Sequence, residues 1–418
     1  METPAIPPKA AERLPATTTL PTSSSSSSAE PQTSTPSVTF IPASDIDAVF
    51  ARTTNLASSA LNAKVLACSD DFFASASNLL NPKPPVHRPG VFVHTGAWYD
   101  GWETRRHNPA PCDWVVIKLG VAAGAIEGVE VDTAYFVGNY GEKAELQGFY
   151  APPRGEDGDW DQTLTDEEIA KPDFKGWRTI MPAQPCGPSQ RRAWRLNDYD
   201  PDHPTPYTHV RLLMYPDGGF ARLRLYGHAI PPRLPPQVAS RARVDRSALP
   251  VEELSSALLG GLALAASDQH YTPCSNLLLP GRGENMGDGW ETARSRTPGH
   301  VDWAIIRLGL PGSVTKVIVD TKDFRGNFPR AVRVHGLVAP DVKASGAEEG
   351  EPGPDHPGWT ELVRGEQPCK ADTEHVFEGA DLAAGGEDTR VFTHVKLTLV
   401  PDGGVKRLRI FGRRAVIA

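Results

Sequence analysis

The sequence predicts an all-β protein built from two related domains in tandem, each an antiparallel sandwich or barrel. Three observations carry that prediction. The chain repeats its own motifs at a nearly fixed spacing, and the repeated segments read as short apolar strands. Between them, 40 prolines and 38 glycines supply turns at the density such a fold needs. The 418 residues leave room for about two to three domains, so each copy is long enough to bury its own core.

Taken in chain order, residues 1–43 come first and are rich in Pro, Ser, Thr and Ala, with an unbroken serine run from Ser23 to Ser28. Such a segment has too little apolar surface to offset the entropy of ordering, and it is expected to be a disordered tail. The first copy spans 44–232, a linker spans 233–249, and the second copy spans 250–418. Asp100-Gly101-Trp102-Glu103-Thr104 recurs as Asp288-Gly289-Trp290-Glu291-Thr292, 188 residues on. Val131-Asp132-Thr133 recurs as Val319-Asp320-Thr321, and Gly138-Asn139 as Gly326-Asn327. Near the end of each copy, Thr208-His209-Val210 matches Thr393-His394-Val395, and Pro216-Asp217-Gly218-Gly219 matches Pro401-Asp402-Gly403-Gly404.

Residues 114–119 and 303–308 are β-branched apolar runs, and 128–133 and 315–320 read as further strands. Residues 208–215, the Pro-Asp-Gly-Gly turn and residues 221–226 predict a hairpin, since Pro-Asp-Gly provides a fixed φ and a positive-φ glycine. In 221–226 arginine alternates with leucine, which predicts one buried and one wet face. A short helix is expected over 251–259.

A net charge of −8 argues against a nucleic-acid partner, because phosphate attraction needs a basic surface. Five scattered cysteines with no C-x-x-C pair fit reduced thiols better than a disulfide framework or a cysteine metal site. No apolar run approaches the roughly 18 residues that span a bilayer, and no secretory or simple peroxisomal address is present, so the cytoplasm is the expected location. The expected partners are a small-molecule substrate and further copies of the chain in a homo-oligomer, with no nucleic acid and no membrane.

The residues with chemistry to offer are those repeated in both copies. Trp102 and Trp290 read as core. A carboxylate directly after a core tryptophan needs a partner, so Glu103 and Glu291 face either a neighbouring arginine or a substrate. Arg106 and Arg294 stand at the same place in both copies and are the candidate cations. Asp132 and Asp320 close a strand, and Asn139 and Asn327 sit in the loop beyond, where sandwich folds display ligands. Both pairs also have an ordinary reading, as turn caps and positive-φ residues. His209 and His394 lie within strands and read first as satisfied, half-buried side chains. No histidine or cysteine cluster announces a metal, and a divalent ion held by carboxylates with a distant histidine stays open.

Together these motifs resemble the allantoicase family. Residues 100–106 (Asp-Gly-Trp-Glu-Thr-Arg-Arg), Asp113-Trp114 and the stretch 131–139 look like its first repeat; 285–294 and 319–328 look like its second. Ser69-Asp70-Asp71-Phe72-Phe73 and Asn78-Leu79-Leu80 are similar to its opening strand and loop. The resemblance covers roughly residues 45 to 415. It implies a pair of jelly-roll sandwiches of the galactose-binding-like type, and hydrolysis of allantoate to ureidoglycolate and urea in allantoin degradation. That reaction breaks a C–N bond at a carbon bearing one carboxylate and two ureido groups. It needs a general acid for the departing nitrogen, an activated water, and a cation for the carboxylate. On this reading Glu103, Glu291, Asp132 and Asp320 are the catalytic candidates. Arg106, Arg294, Thr104, Thr292, Asn139, Asn327, Arg105 and Arg325 are the substrate-binding ones.

The copies are not interchangeable. Arg105 faces Ala293, and Arg325 faces Val137. The expectation is therefore a single site in one copy, or a composite site where the copies meet. A non-catalytic protein binding a small anion or carbohydrate is the competing reading, and a relative without activity is the third.

Overall fold

The computed structural model of the protein describes residues 36–152, 164–242, 245–338, 351–385 and 390–415. The disorder expected of residues 1–35 lies outside them. Val38–Ile41, assigned from sequence to the tail, is instead a strand paired with Arg191–Leu196. Ile41 is buried with Ile46, Phe50 and Ala193, which is enough apolar contact to hold this short edge strand.

Each repeat is a two-sheet sandwich. In the first, one sheet runs in the order Val38–Ile41, Arg191–Leu196, Ala123–Asp132, Arg222–Ile230, Thr54–Asn55. The facing sheet runs Arg178–Pro185, Lys143–Phe149, His209–Tyr215, Asp113–Lys118, Lys64–Cys68. Leu146, Val210, Leu212 and Met214 on one sheet meet Val129, Val131, Leu223 and Leu225 on the other in a single core, with Trp102 buried at its end. In the second repeat both layers share one strand, Asp302–Asp320. Its first part pairs with Phe392–Val400, and its second part with Arg407–Arg414 and Glu374–Glu378.

Two expectations at the end of each copy are corrected. Residues 208–215 and 221–226 are strands but not a hairpin: His209–Tyr215 pairs with Asp113–Lys118, whereas Arg222–Ile230 pairs with Ala123–Asp132. Both runs carry an apolar face that the same core must cover, so they face one another across the sandwich rather than lying side by side. The Pro-Asp-Gly-Gly turn carries the chain between sheets. Gly218, at φ +132°, lies so close to the Asn139 carbonyl that a Cβ would stand 2.7 Å from its oxygen. The arginine face is also not wet. Arg222 is 1% exposed, because residues 81–100 are laid over it. It donates to the carbonyls of Lys83 and Asp100, and Arg224 donates to Asn81. Guanidinium donors thus meet carbonyls at the two ends of this segment, outside its short Phe92–Val93/Gly96–Ala97 hairpin.

The helix expected over 251–259 is a two-residue strand, Glu252–Glu253, followed by a 3-10 turn, Ala257–Leu259. Glu252 and Glu253 pair with Arg414 and Arg409, Ser256 caps the turn, and Gly260 at φ +94° ends it. The helix forms instead in the linker, at Pro236–Ala242. The equivalent 3-10 turn of the first repeat, Ser59–Leu61, brings Leu61 into the second repeat's core, and Leu258 packs against the first's. This reciprocal exchange joins the two copies. All five cysteines are free thiols, and among the described residues no helix is long and apolar enough to cross a membrane.

Candidate functional site

The shared motif forms one local frame in each copy. Trp102–Glu103 pairs with Gly219–Phe220, and Trp290–Glu291 with Gly404–Val405. The tryptophans are fully buried, and their indole N–H groups donate to the carbonyls of Asp70 (2.7 Å) and Asp268 (2.9 Å). The carboxylates of Asp70 and Asp268 then accept the backbone N–H of residues 105 and 293, each at 2.6 Å. Thr104 and Thr292 are buried, and their hydroxyls accept the backbone N–H of Gly218 and Gly403 at 3.1 Å. Their hydroxyls therefore hold the inter-sheet turn, not the face open to a ligand.

Within this frame Glu103 and Asn139 come together. Asn139 Nδ2 donates to Glu103 Oε1 at 2.6 Å, and Asn327 donates to Glu291 at 2.5 Å. Glu103 is 8% exposed. Burial pushes its carboxyl above the ordinary glutamate range, against the Asn139 hydrogen bond and the Arg106 charge, which pull it down. Arg106 stays exposed, with its Nε 2.7 Å from Asp217 Oδ1 and its Nη1 donating to the Gly138 carbonyl. Arg294 bonds Gly326 in the same way, at 2.8 Å. A buried, protonatable carboxyl with one oxygen fixed by an amide, beside an exposed guanidinium, can donate a proton while an anion is held.

The other predicted residues stand elsewhere. Asp132 is buried on the outer side of its sheet and accepts the Ala134 N–H at 2.8 Å. Burial also pushes its carboxyl up, with the Ala134 hydrogen bond opposing. Asp320, at the same position, is held bidentately by Arg282 at 2.8 and 2.9 Å. Neither aspartate touches the Glu–Asn pair of its copy among the described residues. Arg105 pairs with Asp70 and lies over the Phe72 ring, and Arg325 is an exposed partner of Asp372. Each Glu–Asn pair is built wholly from its own repeat, so the motif residues do not form the composite site that sequence divergence suggested.

Two sets of residues escaped the sequence reading. Asp217 and Asp402 lie within the repeated Pro-Asp-Gly-Gly, read there as turn residues, yet each caps the chain after the motif through the N–H of His107 or Ser295, both at 2.8 Å. Their recurrence was the available signal. Asp166 was invisible to it, because it lies outside the repeated motifs. It meets His209 Nε2 at 3.2 Å and Lys118 Nζ at 2.8 Å, at the far end of the strand from Asp217. His209 and His394 are buried rather than half-buried. Among the described residues no group of three His, Cys, Asp or Glu side chains is placed to hold a metal ion.

The Allantoicase repeat family model matches residues 54–230 and 252–415. Allantoicase of Neurospora crassa is 50% identical over 381 residues, covering 90% of this chain and 96% of that one. Allantoicase of Saccharomyces cerevisiae is 44% identical over 356 residues, covering 85% and 92%. The crystal structure of the Saccharomyces cerevisiae enzyme superposes with a TM-score of 0.69 at 38% identity, over 90% of this chain and all of that chain.

Proposed function

The chain belongs to the allantoicase family, and from that premise we propose that Glu103 of the first repeat is its proton-transfer residue. The reaction is hydrolysis of allantoate to ureidoglycolate and urea, a step of purine degradation. The observation that carries the assignment is the buried Glu103–Asn139 pair beside the exposed Arg106.

The bond to be broken is a linear amidine-type C–N bond at a carbon that carries a second ureido nitrogen. Protonated Glu103 gives its proton to the departing nitrogen, and urea leaves. The lone pair of the remaining ureido nitrogen fills the vacated valence at carbon. Water then adds to that carbon and returns a proton to the Glu103 carboxylate, so one residue serves as acid and then base. Asn139 fixes the carboxyl, and Arg106, with Asp217 behind it, receives the substrate carboxylate. Asp132 and Asp320 are given the role of holding strand ends. The first repeat is favoured because its carboxyl is the more deeply withdrawn from water: Glu103 is buried, whereas Glu291 is only partly so. The enzyme is placed in the cytoplasm and assembles as a homo-oligomer on this reading.

Urea and ureidoglycolate release by purified protein, with and without EDTA, tests the reading. Glu103→Gln is expected to lower kcat by about 10²–10⁴-fold, the usual contribution of a positioned acid-base group. Glu291→Gln is expected to stay within a few-fold of the parent. Equal losses in both variants, with folding verified by circular dichroism, would sink the single-repeat assignment.

A further inference from the structure

His394 lies at the opposite end of its strand from Asp402, beside Arg307, with which it is in register. Its ring is 4% exposed. Thr393 Oγ1 stands 2.9 Å from Nδ1 and 3.3 Å from the Leu337 carbonyl. A hydroxyl has one proton, and here the carbonyl takes it. Both contacts are satisfied together by the tautomer that donates from Nδ1, which leaves Nε2 as a bare lone pair. Nε2 is buried and has no hydrogen-bond partner among the described residues. Burial, with the charges of Arg307 and His356, pushes the ring's pKa down to about 4, so the lone pair persists at neutral pH.

Two guanidiniums from different repeats meet at this end of the strand, on one carboxylate. Arg307 belongs to the second repeat, and Arg52 reaches across from the first. Both face the Glu351 carboxylate: Arg52 contacts Oε2, and Arg307 Nη1 is 4.0 Å from Oε1. Burial, and then the Arg52 charge, lower the Arg307 pKa, as expected of two cations sharing one space. The first repeat closes its equivalent position. There Asp166 reaches His209, Lys118 and, at 3.5 Å, Lys64. In the second repeat Glu351 is held by the arginines and does not bond the histidine.

We propose that the junction of the two repeats is a binding site for a small carboxylate that carries an N–H or O–H donor on the adjoining carbon. Arg52 and Arg307 take the carboxylate, displacing Glu351, and His394 Nε2 accepts from the donor. This chemistry is shared by 2-ureido and 2-hydroxy carboxylates. The site is separate from the Glu103 pair and does not depend on its assignment.

The test is calorimetric titration of the full chain carrying Arg106→Gln, which removes the carboxylate receptor of the motif site, with N-carbamoylglycine, glycolate and acetate. N-carbamoylglycine binding is expected to weaken about tenfold or more in Arg52→Gln and Arg307→Gln, the loss typical of a charge-assisted hydrogen bond. It is expected to persist in Glu103→Gln and to tighten in Glu351→Gln, which removes the competing carboxylate. Acetate, which lacks the donor, should bind more weakly than N-carbamoylglycine, and His394→Gln should narrow that gap. Preference for N-carbamoylglycine over glycolate supports the site and ties it to the enzyme's own ureido acids; the reverse preference supports it for hydroxy acids. Affinity unchanged in both arginine variants, or weakened by Glu351→Gln, overturns the proposal. Arg52 is largely exposed, so that variant remains informative even if Arg307→Gln fails to fold. Turnover by Glu103→Gln bears on the motif site alone.

Discussion

The two repeats hold the same frame by the same bonds and surround it with different charge. In both, the indole N–H is tied to an aspartate carbonyl, that aspartate caps the next turn, and a threonine locks the Pro-Asp-Gly-Gly crossing. Beyond the frame they part. The first repeat has Ala221 where the second has Lys406, and the second fixes Asp320 with Arg282 where, among the described residues, Asp132 accepts from a backbone N–H alone. Lys406 is 0% exposed and reaches Asp288 and Asp323. Duplication thus preserved what each sandwich needs in order to fold, and left the electrostatics of the rim free to diverge. Two copies of a fold need not be two copies of a site.

The sharpest way to break this comparison is Lys406→Ala. It removes the buried ammonium that two partly exposed carboxylates, Asp288 and Asp323, share, and restores the residue of the first copy without that copy's surroundings. A loss of about 3 kcal/mol or more is expected in urea unfolding, as for removal of one partner from a buried ion cluster. A loss below about 1 kcal/mol would mean water already serves those carboxylates. Arg282→Ala leaves Asp320 with the one hydrogen bond that Asp132 has. About 2 kcal/mol is expected, less than for Lys406 because Arg282 is itself partly exposed and screened.

The smallest effect is a difference in pH profile. Burial holds the Glu103 carboxyl above its ordinary value of 4.5, so its protonated form survives to higher pH. Activity that needs that proton falls as pH rises through the shifted value. The linked stability has the same sign: it is present below the unfolded pKa and lost as pH rises through the folded one. The kcat profile of the parent should show this descending limb, Glu291→Gln should keep it, and the residual activity of Glu103→Gln should lack it. A limb unchanged in Glu103→Gln would assign the proton to another group.

Sequence reading reached the tandem β architecture because it rests on period and repetition, both local properties of a chain. Trp102 and Trp290 as core and the strands at 114–119 and 303–308 were legible from their neighbours in sequence; the partner of Glu103 and Glu291 was not, since the sequence offered an arginine or a substrate and the structure supplies Asn139 and Asn327. The hairpin was not. Two apolar strands joined by a turn signal look the same whether they pair edge to edge or face each other across a core. The arginine row at 222–224 failed for the same reason: alternation says that one face differs from the other, not what covers it.

By itself the sequence determined the duplication, the class of fold, the family and the residues able to move protons or hold an anion. Tertiary structure decided which of them meet. It joined Glu103 to Asn139, 36 residues away, and sent Asp132 to the other side of its sheet. It also brought Arg52 of the first repeat and Arg307 of the second to one carboxylate, Glu351. The reason is physical. Periodicity and turn chemistry act over a few residues, whereas a site is assembled by long-range packing, and only the folded core fixes which strand ends share a rim.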